Sequence, residues 1–272
     1  MFSTNIKELN LHLVSDSTGE TLGAMARAIL SQFPKVNYHE HMWSLVRTRG
    51  QMKLVIEEIR KKPGVVLYTL LDQTLLDNLL TACHNLQVPC LAALEQLTKF
   101  FADYLKESAT YSPGRQHQLD SKYFAKIDAI NYSLDHDDGQ HLEGLSEADI
   151  ILVGPSRTSK SPTSMYLAHR GFKTANIPLV PPIKIPQELL QIEQNKIIGL
   201  TISRERLIQI RRSRLINLNK NLDNNYVDHE SVAEEILTTK KLYLKHHWPV
   251  IDVTRKSVEE TVAEIIFLLK RN

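Results

Sequence analysis

Short apolar runs alternate along this chain with longer segments whose apolar residues recur every three or four positions, the combined signature of strands and amphipathic helices. Residues 10–15 (NLHLVS), 38–45, 65–70 and 88–92 predict strands. A helical pattern follows each of them: 18–33, with Leu22, Met25, Ala26 and Ile29 on one side, then 51–62, with Val55, Ile56 and Ile59, then 73–85 and 96–106. Strands alternating with helices of this length pair in parallel through right-handed crossovers.

Between Ser108 and Gly144 the pattern changes. A polar stretch (SATYSPGRQHQLDS) leads into one helix that places Tyr123, Ile127, Ile130 and Leu134 on a single apolar stripe. Asp135-His136-Asp137-Asp138-Gly139 then predicts a helix stop and an acidic turn. The second half opens with residues 148–153 (ADIILV), a continuous apolar run expected of a strand covered on both faces. Further strands are predicted at 173–180, 196–202 and 249–253, and helices at 160–169, 204–218, 230–245 and 257–269. The last helix carries Val258, Val262, Ile265, Ile266 and Leu269 on one face. The expected fold class is α/β, built as two α/β halves: an N-terminal domain over 1–110, a connector helix and acidic turn over 111–147, and a second domain over 148–272.

Composition agrees with a folded chain. At 272 residues there is length for two cores, and 42% hydrophobic with 24% charged residues matches ordinary globular proteins. A net charge of +2 creates no field that would draw in nucleic acid or an anionic membrane. Cys83 and Cys90 are too few for a disulfide framework or a zinc site and are expected as buried thiols in a reducing compartment. The start of the chain lacks the apolar core of a signal peptide, and no apolar run approaches the roughly 20 residues that span a bilayer. The expected location is the cytoplasm.

The chemistry concentrates after the first strand of the second half. Gly154-Pro155-Ser156-Arg157-Thr158-Ser159-Lys160-Ser161 fits a P-loop except that Ser159 stands where the second glycine usually is. A buried strand enters this loop and a helix leaves it, so backbone N–H groups and the helix N-terminus would converge on phosphate oxygens. Lys160 would add a point charge at the outermost phosphate and Ser161 a hydroxyl to Mg²⁺. The competing reading is a Ser/Thr-rich loop that merely caps a helix. The motif makes the second half P-loop kinase-like, with a mostly parallel sheet.

The run GPSRTSKSPTSMYLAHRGFKTANIPLVPP resembles the bacterial pyruvate, phosphate dikinase regulatory proteins. So do SDSTGET at 15–21, PGRQHQLDSKYF at 113–124 and GLTISRERLIQIRRSRL at 199–215, and the matching segments span about 10 to about 268. The resemblance implies a bifunctional enzyme. Its kinase would use ADP to phosphorylate a threonine of the dikinase and inactivate it. Its phosphorylase would use inorganic phosphate to remove that group and release pyrophosphate. Thr158-Ser159-Lys160 fits this branch; the sister branch, acting on phosphoenolpyruvate synthase, typically carries Cys-Gly-Lys there. The implied cofactors are ADP, inorganic phosphate and nucleotide-borne Mg²⁺, and the implied partner is the dikinase, with a homodimer left open. A small-molecule P-loop kinase and a nucleotide-sensing binding module are the alternatives.

Four further places have a chemical and a plain reading. Asp137 and Asp138 can share Mg²⁺ binding and the duty of general base, or form an exposed turn; the resemblance favours catalysis. Ser17 and Thr18, in the turn between a strand and a helix, form a second potential anion contact or a simple cap. Arg204, Arg206, Arg211, Arg212 and Arg214 share a helix whose Leu207, Ile208, Leu215 and Leu218 face the core. Arg204 and Arg211 could close over phosphate as a lid, or lie on a solvated face. Finally, PVIDVT at 249–254, with a Ser257–Glu260 capping box, resembles the adenine-contacting end of nucleotide kinases or is just a strand before a capped helix. His39 and His41 share a strand face and are read as structural.

Overall fold

The structure is a computed structural model that describes residues 7–110, 121–180, 185–217 and 224–270. Most of the 113–124 motif, Pro181-Pro182 and Leu218 fall outside those residues. The chain divides into two compact units, Met1–Gln118 and Leu119–Asn272.

The first unit alternates strand and helix throughout: β1 (Lys7–Ser15), α1 (Glu20–Leu30), β2 (Val36–Trp43), α2 (Arg49–Lys61), β3 (Val65–Thr69), α3 (Gln73–Asn85), β4 (Cys90–Ala92) and α4 (Glu95–Leu105). Among the described residues its strands are all parallel, in the order β2-β1-β3-β4. Two polar caps fix the entry of its helices. Thr48 and Gln51 form a reciprocal capping box at α2, and Asp72 accepts from the Leu75 N–H at α3.

The second unit begins with α5 (Ser121–Asp135), followed by two 3₁₀ turns, Asp137–Gly139 and Leu142–Glu147. Then come β5 (Ile150–Gly154), α6 (Lys160–His169), β6 (Thr174–Pro178), α7 (Gln187–Gln191), β7 (Ile197–Thr201) and α8 (Arg204–Asn217). The chain ends with α9 (Asn224–Val227), α10 (His229–His246), β8 (Val250–Asp252) and α11 (Val258–Leu269). This sheet is also parallel, in the order β6-β5-β7-β8. The α/β class with two α/β halves is therefore as expected.

All five residues of β5 are buried. Ile150 and Leu152 join the core built with α6, α8, α10 and α11, while Ile151 and Val153 join the core on the other face, with Tyr132, Ala175 and Ile197. This two-residue alternation into two apolar layers is why the run reads as continuously hydrophobic. In both sheets the chain steps from the first strand to one neighbour and then crosses to the other side. In open parallel sheets that reversal opens a crevice beyond the carboxyl ends of the strands, where ligands bind.

One expectation is corrected. The stripe on α5 is not its buried face: Tyr123, Ile127 and Leu134 are exposed, whereas Ala129, Tyr132 and Ser133 are buried. The reason is local bonding. Ser133 Oγ accepts the Thr174 N–H at 2.9 Å and the Tyr132 hydroxyl donates to the Gly144 carbonyl at 3.0 Å, so a small and polar face is the one that approaches β6 closely.

Candidate functional site

The loop that follows β5 is held by its own backbone. The Thr158 hydroxyl donates to the Pro155 carbonyl at 2.9 Å, and the Leu179 N–H donates to the Gly154 carbonyl at 2.9 Å. At Gly154 the neighbouring strand comes so close that a Cβ would lie 2.7 Å from the Leu200 carbonyl oxygen, so only glycine fits. Two other loop residues adopt left-handed backbone without being glycine: Arg157 at φ 75° and Ser159 at φ 61°. Ser159 is thus a serine in the conformation that glycine normally supplies at this place. It is also the N-cap of α6 and makes no side-chain capping bond. The first N–H groups of α6 remain available to an anion.

Lys160, the first residue of α6, is buried. Its ammonium donates to the carbonyls of Gly154, at 3.0 Å, and Pro155, at 2.9 Å. Burial pulls its pKa down to about 8. The carboxylates of Asp138, Asp137 and Glu235 resist that fall and the Arg211 guanidinium adds to it. A desolvated cation held only by neutral carbonyls gains from an arriving phosphate oxygen.

The acidic turn reaches this loop through one side chain. Asn176 on β6 donates from Nδ2 to Asp137 Oδ1 at 2.5 Å and to Ser161 Oγ at 3.0 Å, and its backbone N–H donates to the His136 carbonyl at 3.0 Å. Asp137, half-buried, is therefore linked to the hydroxyl that follows Lys160. Asp138 is exposed, has left-handed backbone at φ 54°, and no hydrogen bond to its carboxylate is found among the described residues.

The arginine helix α8 splits. Arg204 is exposed and pairs with its neighbour Glu205. Arg211 is 2% exposed and lies on the apolar stripe with Leu207, Ile208 and Leu215. Its guanidinium makes two 2.8 Å bonds to Glu235 on α10 and donates at 3.2 Å to the carbonyls of Tyr226 and of Ser156 in the loop. The Tyr226 ring lies beneath it at 4.5 Å, and the Tyr226 hydroxyl accepts from Arg157 Nε.

Ser17 and Thr18 belong to the first unit, in the turn from β1 to Gly19. The Ser17 carbonyl accepts from the Leu45 N–H at 2.9 Å and the Thr18 carbonyl from the Ser44 hydroxyl at 2.6 Å. Asp16 beside them accepts from the Leu71 N–H at 2.8 Å, and burial raises its pKa. The Ser257–Glu260 capping box is present at α11, and Thr254 Oγ1, before it, accepts from the Ser203 N–H.

Asn176, Glu235 and Tyr226 are not singled out by the sequence. Asn176 had a signal: it is a polar residue in the middle of an otherwise small and apolar strand. Arg211 had one too, because it occupies the apolar spacing of its helix. The donor set suits a phosphate chain carrying Mg²⁺: an ammonium, unsatisfied helix N–H groups, one hydroxyl and two carboxylates converge beyond β5. Among the described residues no helix is long and apolar enough to cross a membrane.

Residues 11–266 match the kinase/pyrophosphorylase family model. A protein of Rhodopseudomonas palustris is 49% identical over 261 residues, covering 96% of this chain and 94% of its own length. Proteins of Bradyrhizobium diazoefficiens and Maricaulis maris are 47% and 48% identical and each cover 97% of this chain and 95% of their own length. All three carry the name pyruvate, phosphate dikinase regulatory protein. Among solved structures, an ornithine carbamoyltransferase from Campylobacter jejuni aligns with a TM-score of 0.26 at 11% identity, covering 98% of this chain and 84% of its own length, a likeness that carries no argument. The loop, its lysine and the full-length kinship agree: the chain belongs to the kinase/pyrophosphorylase family.

Proposed function

We propose that this protein phosphorylates a threonine of pyruvate, phosphate dikinase with ADP as donor, and removes the same group with inorganic phosphate, releasing pyrophosphate. The observation that carries the reading is the convergence of Lys160, Ser161, Asp137 and Asp138 beyond the carboxyl end of β5. Relatives sharing about half of this sequence are named for the dikinase, which supplies the partner.

In the kinase direction Lys160 and the N–H groups of α6 hold the phosphate chain, as in a P-loop kinase domain. Mg²⁺ on the nucleotide would screen charge on the transferring group, with Ser161 and the acidic turn on its side. One of the two aspartates takes the proton of the threonine hydroxyl as its oxygen attacks the terminal phosphorus of ADP. The bond from that phosphorus to the bridging oxygen breaks, and AMP leaves. In the reverse direction an oxygen of inorganic phosphate attacks the phosphothreonine phosphorus, pyrophosphate forms, and the same carboxyl group returns the proton to the threonine oxygen. Either way the moving group lies between a threonine and a second phosphate, so one cradle serves both reactions. A cytoplasmic location fits this chemistry, because the nucleotide and the dikinase are found there.

Incubation with ADP, Mg²⁺ and dikinase, read by the intact mass of the dikinase and by AMP release, tests the proposal. The expected result is one phosphoryl group gained per AMP formed, and its loss on adding phosphate. AMP that does not rise in step with phosphothreonine overturns the donor assignment. ADP turnover on a small metabolite, with the dikinase mass unchanged, supports a small-molecule kinase instead.

A further inference from the structure

We infer that Asn176 is a positioning residue that separates the duties of the two aspartates: it holds Asp137 on the cation side beside Ser161 and leaves Asp138 as the carboxylate that takes the threonine proton. The inference rests on the proposed phosphoryl transfer and assigns roles within that site.

The argument starts from what the amide can do. An ionised carboxylate only accepts, so the edge of Asn176 facing Asp137 must be its NH₂, and the two N–H groups of that NH₂ are then both engaged. One goes to Asp137 Oδ1 and the other to Ser161 Oγ. The opposite end of the amide, Oδ1, is buried and makes no hydrogen bond among the described residues. A buried carbonyl left without a donor is destabilising, and the polar groups of folded proteins are nearly always paired. An amide kept at that cost, with both donors on one aspartate and one serine, is there for those two partners. Because Ser161 Oγ accepts from Asn176, its own hydrogen and remaining lone pair stay free for the ligand.

The same bonds distinguish the aspartates. Asp137 is half-buried and bonded by one oxygen, so its carboxylate has one orientation. Asp138 follows it on left-handed backbone, exposed, with no hydrogen bond to its carboxylate among the described residues. Of the two, Asp138 acts more strongly on the Lys160 ammonium. Being exposed, it is open to an acceptor hydroxyl arriving from solvent. A bonded carboxylate of fixed orientation suits a cation with strict ligand geometry, whereas a free one suits proton transfer.

The test compares four variants of the full chain: Asn176→Ala, Asn176→Asp, Asp137→Asn and Asp138→Asn. Calorimetry gives ADP affinity with Mg²⁺ and with a chelator, and the dikinase assay gives kcat and KM. Asn176→Ala is expected to copy Asp137→Asn: a roughly ten- to hundredfold rise in the Mg²⁺ concentration needed, with chelator-state ADP affinity unchanged. The double variant Asn176→Ala/Asp137→Asn should fall no further than Asp137→Asn alone, since one residue acts through the other. Asp138→Asn should lower kcat by about a hundredfold or more and leave the Mg²⁺ requirement in place. If Asn176→Ala does not fold, Asn176→Asp has nearly the same shape but, ionised, donates to neither partner and repels Asp137, so the Mg²⁺ requirement is expected to rise there as well. Losses that add, or a wild-type Mg²⁺ requirement in both Asn176 variants, overturn the inference while wild-type activity stands. A wild-type protein that binds no ADP instead overturns the proposed function, and this inference with it.

Discussion

Arg211 and Glu235 form a two-pronged ion pair between α8 and α10, with both nitrogen–oxygen separations at 2.8 Å and both side chains buried. The same guanidinium reaches the Ser156 carbonyl, so the pair fastens the loop after β5 to two helices as well as to its own strand. Removing one partner leaves a buried charge. Arg211→Met is expected to destabilise the second unit by about 3–5 kcal/mol, while Arg211→Met/Glu235→Leu recovers much of that loss. Urea unfolding of both variants checks this. A double variant as unstable as the single one would show that packing, rather than the uncompensated carboxylate, sets the cost.

Lys160 has the opposite balance, because its burial desolvates an ammonium whose hydrogen-bond partners are neutral carbonyls. Lys160→Met should abolish ADP binding and both activities while leaving the thermal midpoint unchanged or higher. The two carbonyls it bonds each keep another donor, Leu179 N–H at Gly154 and the Thr158 hydroxyl at Pro155. The sign can also be followed with pH. The folded pKa of about 8 lies below the ordinary 10.5, so between those values the unfolded state binds more protons and stability rises with pH. Wild type should show that rise relative to Lys160→Met. Phosphorylase turnover surviving in the variant would separate the two reactions into different cradles.

Ser159→Gly tests the strained position in the loop. With φ at 61° and no side-chain capping bond, the serine is in a conformation that glycine adopts freely. The substitution should stabilise the protein by about 0.5–1 kcal/mol, after allowing for the greater freedom of glycine in the unfolded chain. ADP affinity should stay within about twofold. Differential scanning calorimetry and titration with ADP measure the two quantities, and a lower midpoint would mean the serine hydroxyl makes a contact that matters.

In the first unit His12 is buried and locked in its neutral form. Its Nε2–H donates to the Lys62 carbonyl at 2.8 Å, and its Nδ1 accepts the Trp43 indole N–H at 3.3 Å, while His41 stacks on it at 4.7 Å. Burial lowers the His12 pKa below 6.5, the neighbouring His41 adds to that, and Glu58 opposes it. A depressed pKa means that stability is present above 6.5 and lost as pH falls below it, since the unfolded state then takes up the proton more readily. His12→Gln keeps a donor and an acceptor without a titration. It should flatten the fall in stability below about pH 6.5, as measured by chemical unfolding at a series of pH values. An unchanged slope would assign the acid lability to other groups.

Much of the secondary structure is legible in the sequence because the signals are local. The helices at 73–85 and 160–169 lie where the sequence predicts them, the first opened by the Asp72 cap, and β5 is announced by a run too apolar to have a wet face. The loop after β5 is legible for the same reason: its residues are contiguous. Where local signals compete, the reading fails. On α5 the most apolar stripe is solvent-facing, because close approach to β6 selects alanine and serine over isoleucine and leucine.

What the sequence determined by itself is thus the alternation of elements, the loop after β5 and the lysine within it, all set by neighbours a few residues apart. What only tertiary structure decided is which side chains surround that loop. Asn176 is 39 residues from Asp137 and 15 from Ser161, and Arg211 is 55 from Ser156. These residues meet because β6 pairs beside β5, with Leu152 opposite Asn176, and because α8 and α10 pack over one sheet face. Strand order follows from crossover handedness and from burying two apolar faces at once, which no short stretch of chain encodes.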